Sequence, residues 1–402
     1  MEKMDPRAPF AAIGGMIPPE FDTLPTPCYL IDEAALAQNA AILGGLAART
    51  GCRVLLAQKA FSNYDCYPIL APHLAGTEAS GLFEARLGAE KMPGKEVHVF
   101  CAAYRKDEMD ELLRYADHIV FNSPNQLSAF GPMAKAAGKS VGLRINPECS
   151  TQEGHDIYDP CAPGSRLGTT RAQWDSALEK NPSLSDLLDG LHFHTLCEQD
   201  ADALEVTLDA VAEKFGDLLR RMKWLNFGGG HHITRPGYDI KRLERCIARA
   251  QQDFGVTVYL EPGEACALNA GFLLTRVLDV VQNGDTTIAI LDASAACHMP
   301  DVIEMPYKPP LLGAAEPDDA PYRVRLGGPT CLSGDVIGDY GFDAPLAIGD
   351  LLVFGDMAIY TTCKNNTFNG MPLPAILTRS PNGDCRTICS FDYEDFRYRL
   401  GK

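Results

Sequence analysis

Eight short apolar runs alternate with helix-like segments between about residue 34 and residue 270, and that alternation limits the folds open to the chain. The runs are RVLLAQK (53–59), GTEASG (76–81), EVHVF (96–100), HIVFN (118–122), VGLRINP (141–147), GLHFHT (190–195), WLNFGGG (224–230) and VTVYLEPG (256–263). Between them lie amphipathic stretches such as DEMDELLRYA (107–116) and ADALEVTLDAVAEKF (201–215). Strand candidates spaced by helices in this way predict an α/β fold, a (β/α)8 barrel over 34–270. After residue 271 the texture changes. RVLDVVQ (276–282), TIAILDAS (287–294), YRVRLGG (322–328) and DLLVFGDM (350–357) are separated by turn-rich segments, with no long amphipathic helix. Residues 271–402 therefore read as a C-terminal all-β domain. Segment 1–33 joins the two, and LPTPCYLIDEAAL (24–36) reads as a strand entering a helix, its start held extended by Pro25 and Pro27. With 402 residues the chain is long enough for two cores.

The polar residues of interest fall at the ends of these runs: Lys59, His194, Gly228 to Gly230 and Glu261. Barrel enzymes place their chemistry at the C-terminal ends of strands. A lysine there would be partly desolvated, which disfavours its charge and makes it a better nucleophile toward an aldehyde; the alternative is a lysine that snorkels at the rim. GGG at 228–230 closes the seventh run, near the usual barrel phosphate site. Glycines let backbone N–H groups approach an anion, although a glycine cluster also makes a plain turn. EPGE (261–264) closes the eighth run. A carboxylate beside a bound pyridine nitrogen keeps that nitrogen protonated and makes the ring an electron sink. The plainer role for Glu261 is a barrel-end salt bridge. Alternation in HFHT (192–195) puts His192 and His194 on the same side of their strand. A histidine facing the barrel mouth can stack on a flat cofactor, or simply make a structural hydrogen bond. His231 and His232 have no partners at metal-ligand spacing, so no metal site is read.

Composition narrows the partners. The net charge of −17 makes nucleic acid and anionic membranes poor partners and favours a cationic small molecule. Acidity also serves solubility alone, so charge ranks substrates without choosing one. The 14 cysteines are scattered singly, with Cys385 and Cys389 the one close pair and no CxxC motif. That pattern suits thiols in a reducing cytosol better than a disulfide framework or a zinc ribbon. No stretch is long and apolar enough for a signal peptide or a membrane span, so a cytoplasmic protein is expected.

Taken together these stretches resemble a known family. TPCYLIDEAAL (26–36), LLAQKAF (55–61), GTEASGLFEARLG (76–88), HIVFNS (118–123), GLRINPE (142–148), YDPCAPGSRLG (158–168), LHFHTLCEQ (191–199), LNFGGGHHITRP (225–236), LEPGEA (260–265), ILDASAACHMPDV (290–302), LGGPTCLSGDVIGDY (326–340) and TFNG (367–370) are similar to the carboxynorspermidine (carboxyspermidine) decarboxylases. These belong to the alanine racemase and ornithine decarboxylase superfamily. The resemblance runs from about residue 24 to about residue 375. It implies an alanine-racemase-like fold, a barrel that binds pyridoxal 5'-phosphate (PLP) followed by a β domain. It also implies decarboxylation of carboxynorspermidine or carboxyspermidine to a polyamine and CO2.

The resemblance assigns roles residue by residue. Lys59 carries the cofactor, His194 stacks on its ring, and Glu261 pairs with the ring nitrogen. Gly228, Gly229, Gly230 and Gly263 receive the phosphate through backbone amides, and the Tyr360 hydroxyl reaches it. Cys331 protonates the carbanion. Asp335 matches an acidic residue that binds a substrate amine. Glu198 is a further candidate for the substrate's cationic nitrogens, and Asp301 is one whose place after Pro300 also suits a helix cap or turn. The Cys331 segment is expected to enter the active site of a second subunit, giving a head-to-tail homodimer. One position departs from the wider superfamily. Ornithine and diaminopimelate decarboxylases have arginine after EPG, where it helps hold the phosphate; here that residue is Glu264, as in the polyamine branch. Diaminopimelate decarboxylase is the rival enzyme reading. A single-barrel PLP carrier is the rival without catalysis, and it lacks both the β domain and the Cys331 motif.

Overall fold

The computed structural model describes residues 5, 7–152 and 159–401, so Tyr158 of the YDPCAPGSRLG stretch lies outside the described residues. The chain divides into two compact units, one formed by Asn39–Lys59 and Cys66–Cys266, the other by Met1–Gln38, Ala60–Asp65 and Ala267–Lys402.

The first strand, β1 (Cys28–Asp32), belongs to the second unit. The next eight build the first unit: β2 (Arg53–Ala57), β3 (Gly76–Ala79), β4 (Glu96–Phe100), β5 (His118–Phe121), β6 (Ser140–Arg144), β7 (Gly190–His192), β8 (Trp224–Asn226) and β9 (Thr257–Leu260). They pair in parallel in chain order, and β9 returns to β2 to close a barrel. Every apolar run of the sequence is one of these strands, which confirms the (β/α)8 expectation. The strands stop short of the runs, however, and release Lys59, His194, Gly228 to Gly230 and Glu261 into the loops that follow. Helices between the strands begin where the sequence caps them. Ser123 accepts from the Gln126 N–H ahead of Pro124–Ala136, and Thr170 forms a capping box with Gln173 ahead of Arg171–Lys180.

One end of the barrel is plugged. The Trp224 ring lies across it with its Nε1–H on Ser140 Oγ (2.8 Å). A Cβ on Gly190 would fall 2.0 Å from that ring and one on Gly142 2.3 Å from it, so both neighbours must be glycine. Leu55, Val120 and Tyr259 pack around the tryptophan, and the His98 and His118 rings stack at 3.9 Å beside it. Trp224, Gly190 and Ser140 each begin their strands, so the filled end is the N-terminal one and the opposite end is left for chemistry.

In the second unit a mixed sheet runs in the order β13-β12-β11-β10-β1-β15-β16, with β14 also paired to β10. Its strands are β10 (Gly271–Asn283), β11 (Thr286–Leu291), β12 (Tyr322–Gly327), β13 (Val336–Phe342), β14 (Leu351–Gly355), β15 (Ala375–Arg379) and β16 (Cys385–Cys389). The first half of β10 pairs with β1 and β14 and its second half with β11, so one 13-residue strand ties the sheet together. Phe10, Phe21, Leu30, Phe272 and Val353 form its core. No helix among the described residues is long and apolar enough to cross a membrane.

Candidate active site

A cavity of about 230 Å³ opens at the C-terminal ends of the barrel strands, lined among others by Lys59, Glu78, Phe100, Arg144, His194 and Glu261. Lys59 lies two residues beyond β2, half-buried in a turn. Glu261 follows β9 directly and is 5% exposed. Its Oε1 accepts from Asn226 Nδ2 (2.5 Å) and its Oε2 from the His192 Nε2–H (3.0 Å). Burial alone would raise its carboxyl, but His192, then His98 and Asn226, outweigh it and hold the group below its ordinary range. Burial pushes His192 down as well. The pair is thus an ionised carboxylate held by a neutral imidazole.

His194 is the other half of the alternating pair, and it is used differently. Its Nδ1 accepts the Gly229 N–H (2.9 Å), which fixes the ring, and burial, then Lys59 and Arg144, hold it far below the usual histidine range. It is a neutral, oriented, flat surface on the cavity wall. Arg144, at the end of β6, donates to the His194 carbonyl (3.1 Å), and its guanidinium stands 4.6 Å from the centre of the Phe100 ring. Phe100 in turn stacks on His192 at 5.5 Å. Burial draws Arg144 down to about 10, which still leaves it cationic at neutral pH.

Glu78, in the middle of β3, is the residue the sequence reading passed over. It is 4% exposed and shares the cavity with Lys59. Burial, then the charge of Glu261, push its carboxyl well above the carboxylate range despite Lys59 and Arg144. A charged residue inside GTEASG was the available signal, as was the arginine ending VGLR for Arg144. Two like groups in one cavity are thereby shifted in opposite directions.

The glycine run is only partly open to an anion. The Gly228 N–H is taken by Asn226 Oδ1 (2.9 Å) and the Gly229 N–H by His194, so these two amides position side chains instead of facing a phosphate. Gly230 and Gly263 N–H make no hydrogen bond among the described residues. Glu264, the departure noted above, lies 3.2 Å from His232 Nε2. Burial opposes charge on His232, but Glu264 and then Glu198 raise it above the usual histidine value. Glu198, exposed on the loop after β7, has a polar atom within 4.8 Å of those of His232 and Glu264. Sequence spacing gave His232 no such neighbours; the fold supplies them from three loops.

The remaining expected site residues belong to the second unit. Cys331 is exposed in the loop between β12 and β13, its N–H on Asn369 Oδ1 (2.8 Å). Tyr360 has φ 49° and donates its N–H to the Ala60 carbonyl (2.9 Å). Two expectations need correction. Asp335 is 4% exposed and turned inward, its oxygens occupied by Ser294, Ala296 and Thr330, so it offers no face to a substrate amine. Asp301 is ion-paired with Lys364, which also pairs with Glu304, so its carboxylate already has a cationic partner within the chain.

A nucleophilic amine, a fixed carboxylate and a flat neutral imidazole in one cavity suit a heteroaromatic aldehyde with a protonatable ring nitrogen. A Cβ at Gly229 would lie 2.4 Å from the Glu261 carbonyl and 3.3 Å from the His194 ring, so the wall admits only glycine there. These residues fit the ring and aldehyde of pyridoxal phosphate, while the phosphate is left to fewer amides than the glycine run suggests. The family comparison agrees: the chain belongs to the pyridoxal-dependent decarboxylases, whose model with its C-terminal sheet domain matches residues 28–358. Pyridoxal phosphate is therefore its cofactor. Among relatives, it is 40% identical to the carboxynorspermidine/carboxyspermidine decarboxylase of Campylobacter jejuni, over 94% of this chain and 99% of that one. It is 42% identical to the carboxyaminopropylagmatine decarboxylase of Synechocystis, over 95% of this chain and 97% of that one. The crystal structure of carboxynorspermidine decarboxylase from Campylobacter jejuni, complexed with norspermidine, is similar with a TM-score of 0.85 at 40% identity, covering 94% of this chain and all of that one.

Proposed function

We propose that this enzyme decarboxylates carboxynorspermidine or carboxyspermidine, releasing CO2 and the polyamine. The observation that carries the reading is the single cavity holding Lys59, ionised Glu261 and neutral His194. Similarity to the Campylobacter jejuni enzyme over nearly the whole chain supports the substrate. When bound, pyridoxal phosphate supplies the sink for the electron pair left as the carboxylate departs. Lys59 Nζ is the amine that would hold the cofactor through its aldehyde. Glu261, clamped by His192 and Asn226, keeps a proton on the ring nitrogen, and His194 covers one ring face. Cys331 Sγ delivers a proton to the former α-carbon. Gly230 and Gly263 would offer their N–H groups to the phosphate. Glu198 meets a distal ammonium group, which a net charge of −17 also attracts. The working form in this reading is a head-to-tail homodimer in which Cys331 serves the partner's cavity, in a cytosol that keeps the thiol reduced.

A second substrate is favoured by one finding. The Synechocystis relative acts on carboxyaminopropylagmatine, which ends in a guanidinium instead of an ammonium. Both ligands present an amino-acid head and distal cations, the chemistry Glu198 suits. Meso-diaminopimelate presents a second carboxylate instead, and Glu264 stands where that branch has arginine. CO2 release from the purified enzyme should therefore be at least about 100-fold more efficient with these carboxyamines than with diaminopimelate, roughly 2.7 kcal/mol in transition-state binding. The three carboxyamines compared side by side identify the substrate. Comparable rates on diaminopimelate would overturn the assignment.

A further inference from the structure

The inward turn of Asp335 has a second side. The loop between β12 and β13 carries Cys331 at its exposed tip. What fixes it is a hydrogen-bonded cradle made from three separate stretches. The first is the segment Ser294–His298, largely buried. Asp335 Oδ2 accepts from Ser294 Oγ (2.9 Å), and Asp335 Oδ1 accepts from the Ala296 N–H (3.2 Å). The same Oδ2 accepts from Thr330 Oγ1 (2.6 Å), the residue next to Cys331. Gly328 closes on this carboxylate from the other strand: its N–H donates to the Asp335 carbonyl (3.0 Å), and a Cβ there would lie 2.2 Å from Asp335 Oδ2.

The second support comes from the TFNG segment. Asn366 Nδ2 donates to the Ala296 carbonyl (2.8 Å) and the Asn366 N–H to the Cys297 carbonyl (3.0 Å). The chain then reaches Asn369, whose Oδ1 takes the Cys331 N–H (2.8 Å) from a left-handed backbone at φ 58°. Both loops hang from Ser294–His298 and meet at Cys331. The Asp335 carboxylate accepts from two stretches at once, through Ser294 Oγ and the Ala296 N–H on one side and Thr330 on the other.

We propose that Asp335 and Asn369 are positioning residues that set where the Cys331 thiol delivers its proton. The inference rests on the reading of Cys331 as the proton donor. Its consequence is chemical. Once CO2 has left, one electron pair and one proton remain to be joined. A proton placed on the former α-carbon leads to the polyamine, which leaves as the Lys59 amine takes its place on the cofactor. A proton placed on the cofactor's own carbon, followed by addition of water, yields an aldehyde product and leaves the cofactor as its amine. Position alone decides between them, and a displacement of an ångström at a reacting group costs on the order of 100-fold.

The test measures product identity in the holoenzyme, as the ratio of aldehyde to polyamine formed per CO2, together with loss of the cofactor's absorbance during turnover. Asp335→Asn replaces one of the two acceptor oxygens with an NH2 and so removes an acceptor from the cradle. Asn369→Ala, on an exposed loop, removes one hydrogen bond and carries the test if the first variant does not fold. Both are expected to keep decarboxylating while the aldehyde fraction rises on the order of tenfold or more, toward that of Cys331→Ala. Asn369→Asp, which retains the acceptor, should restore the wild-type ratio. A general loss of structure would lower CO2 release and aldehyde together and leave the ratio unchanged. If Cys331→Ala diverts protonation while Asp335→Asn and Asn369→Ala partition like wild type, the inference falls and the proton-donor reading stands. If Cys331→Ala itself leaves the ratio unchanged, both fall.

Discussion

Glu78 and Glu261 are chemically alike, yet the barrel shifts their carboxyls in opposite directions. Glu261 has Asn226 and His192 as hydrogen-bond donors; Glu78 has burial and the Glu261 charge against it, with Lys59, Arg144 and Glu84 as its other charged neighbours. This has a consequence for stability. Folding raises Glu78 above its ordinary value of 4.5, so the stability it contributes is complete below that pH and is lost as pH rises through the folded value. Glu78→Gln removes that titration. The melting temperature of the variant relative to wild type should therefore climb as pH is raised from about 5 to about 9, measured by thermal unfolding of the full chain. A difference that stays flat with pH would mean that Glu78 is ionised in the folded protein. At this scale the sequence singled out Lys59 and Glu261 because each ends an apolar run. It did not show Glu78, because what makes that residue unusual is the company of Glu261, 183 positions away in the sequence.

Among the elements, β6, β7 and β8 show how composition at strand starts shapes the site from the far end. Trp224 fills the barrel's base only because Gly142 and Gly190 leave room for its ring. Overpacking in a core of this kind costs about 1–3 kcal/mol. Gly190→Ala should lower stability by that amount in urea unfolding, and the loss should shrink in a Trp224→Leu background, where the ring is gone. An equal loss in both backgrounds would show that the glycine is needed for backbone reasons instead. Strand identity and order were legible from period and spacing. Strand ends were not, since runs such as WLNFGGG continue in apolar and small residues past the last ladder hydrogen bond. That misreading hid a functional detail: Gly228 and Gly229 leave the strand to position Asn226 and His194.

On the scale of the whole molecule, the proposed dimer makes a direct prediction. If Cys331 serves the partner's cavity, a Lys59→Ala chain and a Cys331→Ala chain, each inactive or impaired alone, form mixed dimers with one intact site. Random pairing would restore about a quarter of the wild-type activity, read as polyamine formed. No recovery after confirmed subunit exchange would show that each chain builds its own site. The sequence by itself determined the barrel, the sheet domain and the cofactor's chemistry, because hydrophobic period and strand-end residues are local properties that survive in one dimension. Tertiary structure alone decided that Asp335 is an internal anchor and Asp301 an ion-pair partner, that His232 meets Glu198 and Glu264, and that the Glu78 carboxyl is shifted upward. Each of those outcomes depends on which distant donor or charge lies within a few ångströms, and spacing along the chain carries no record of it.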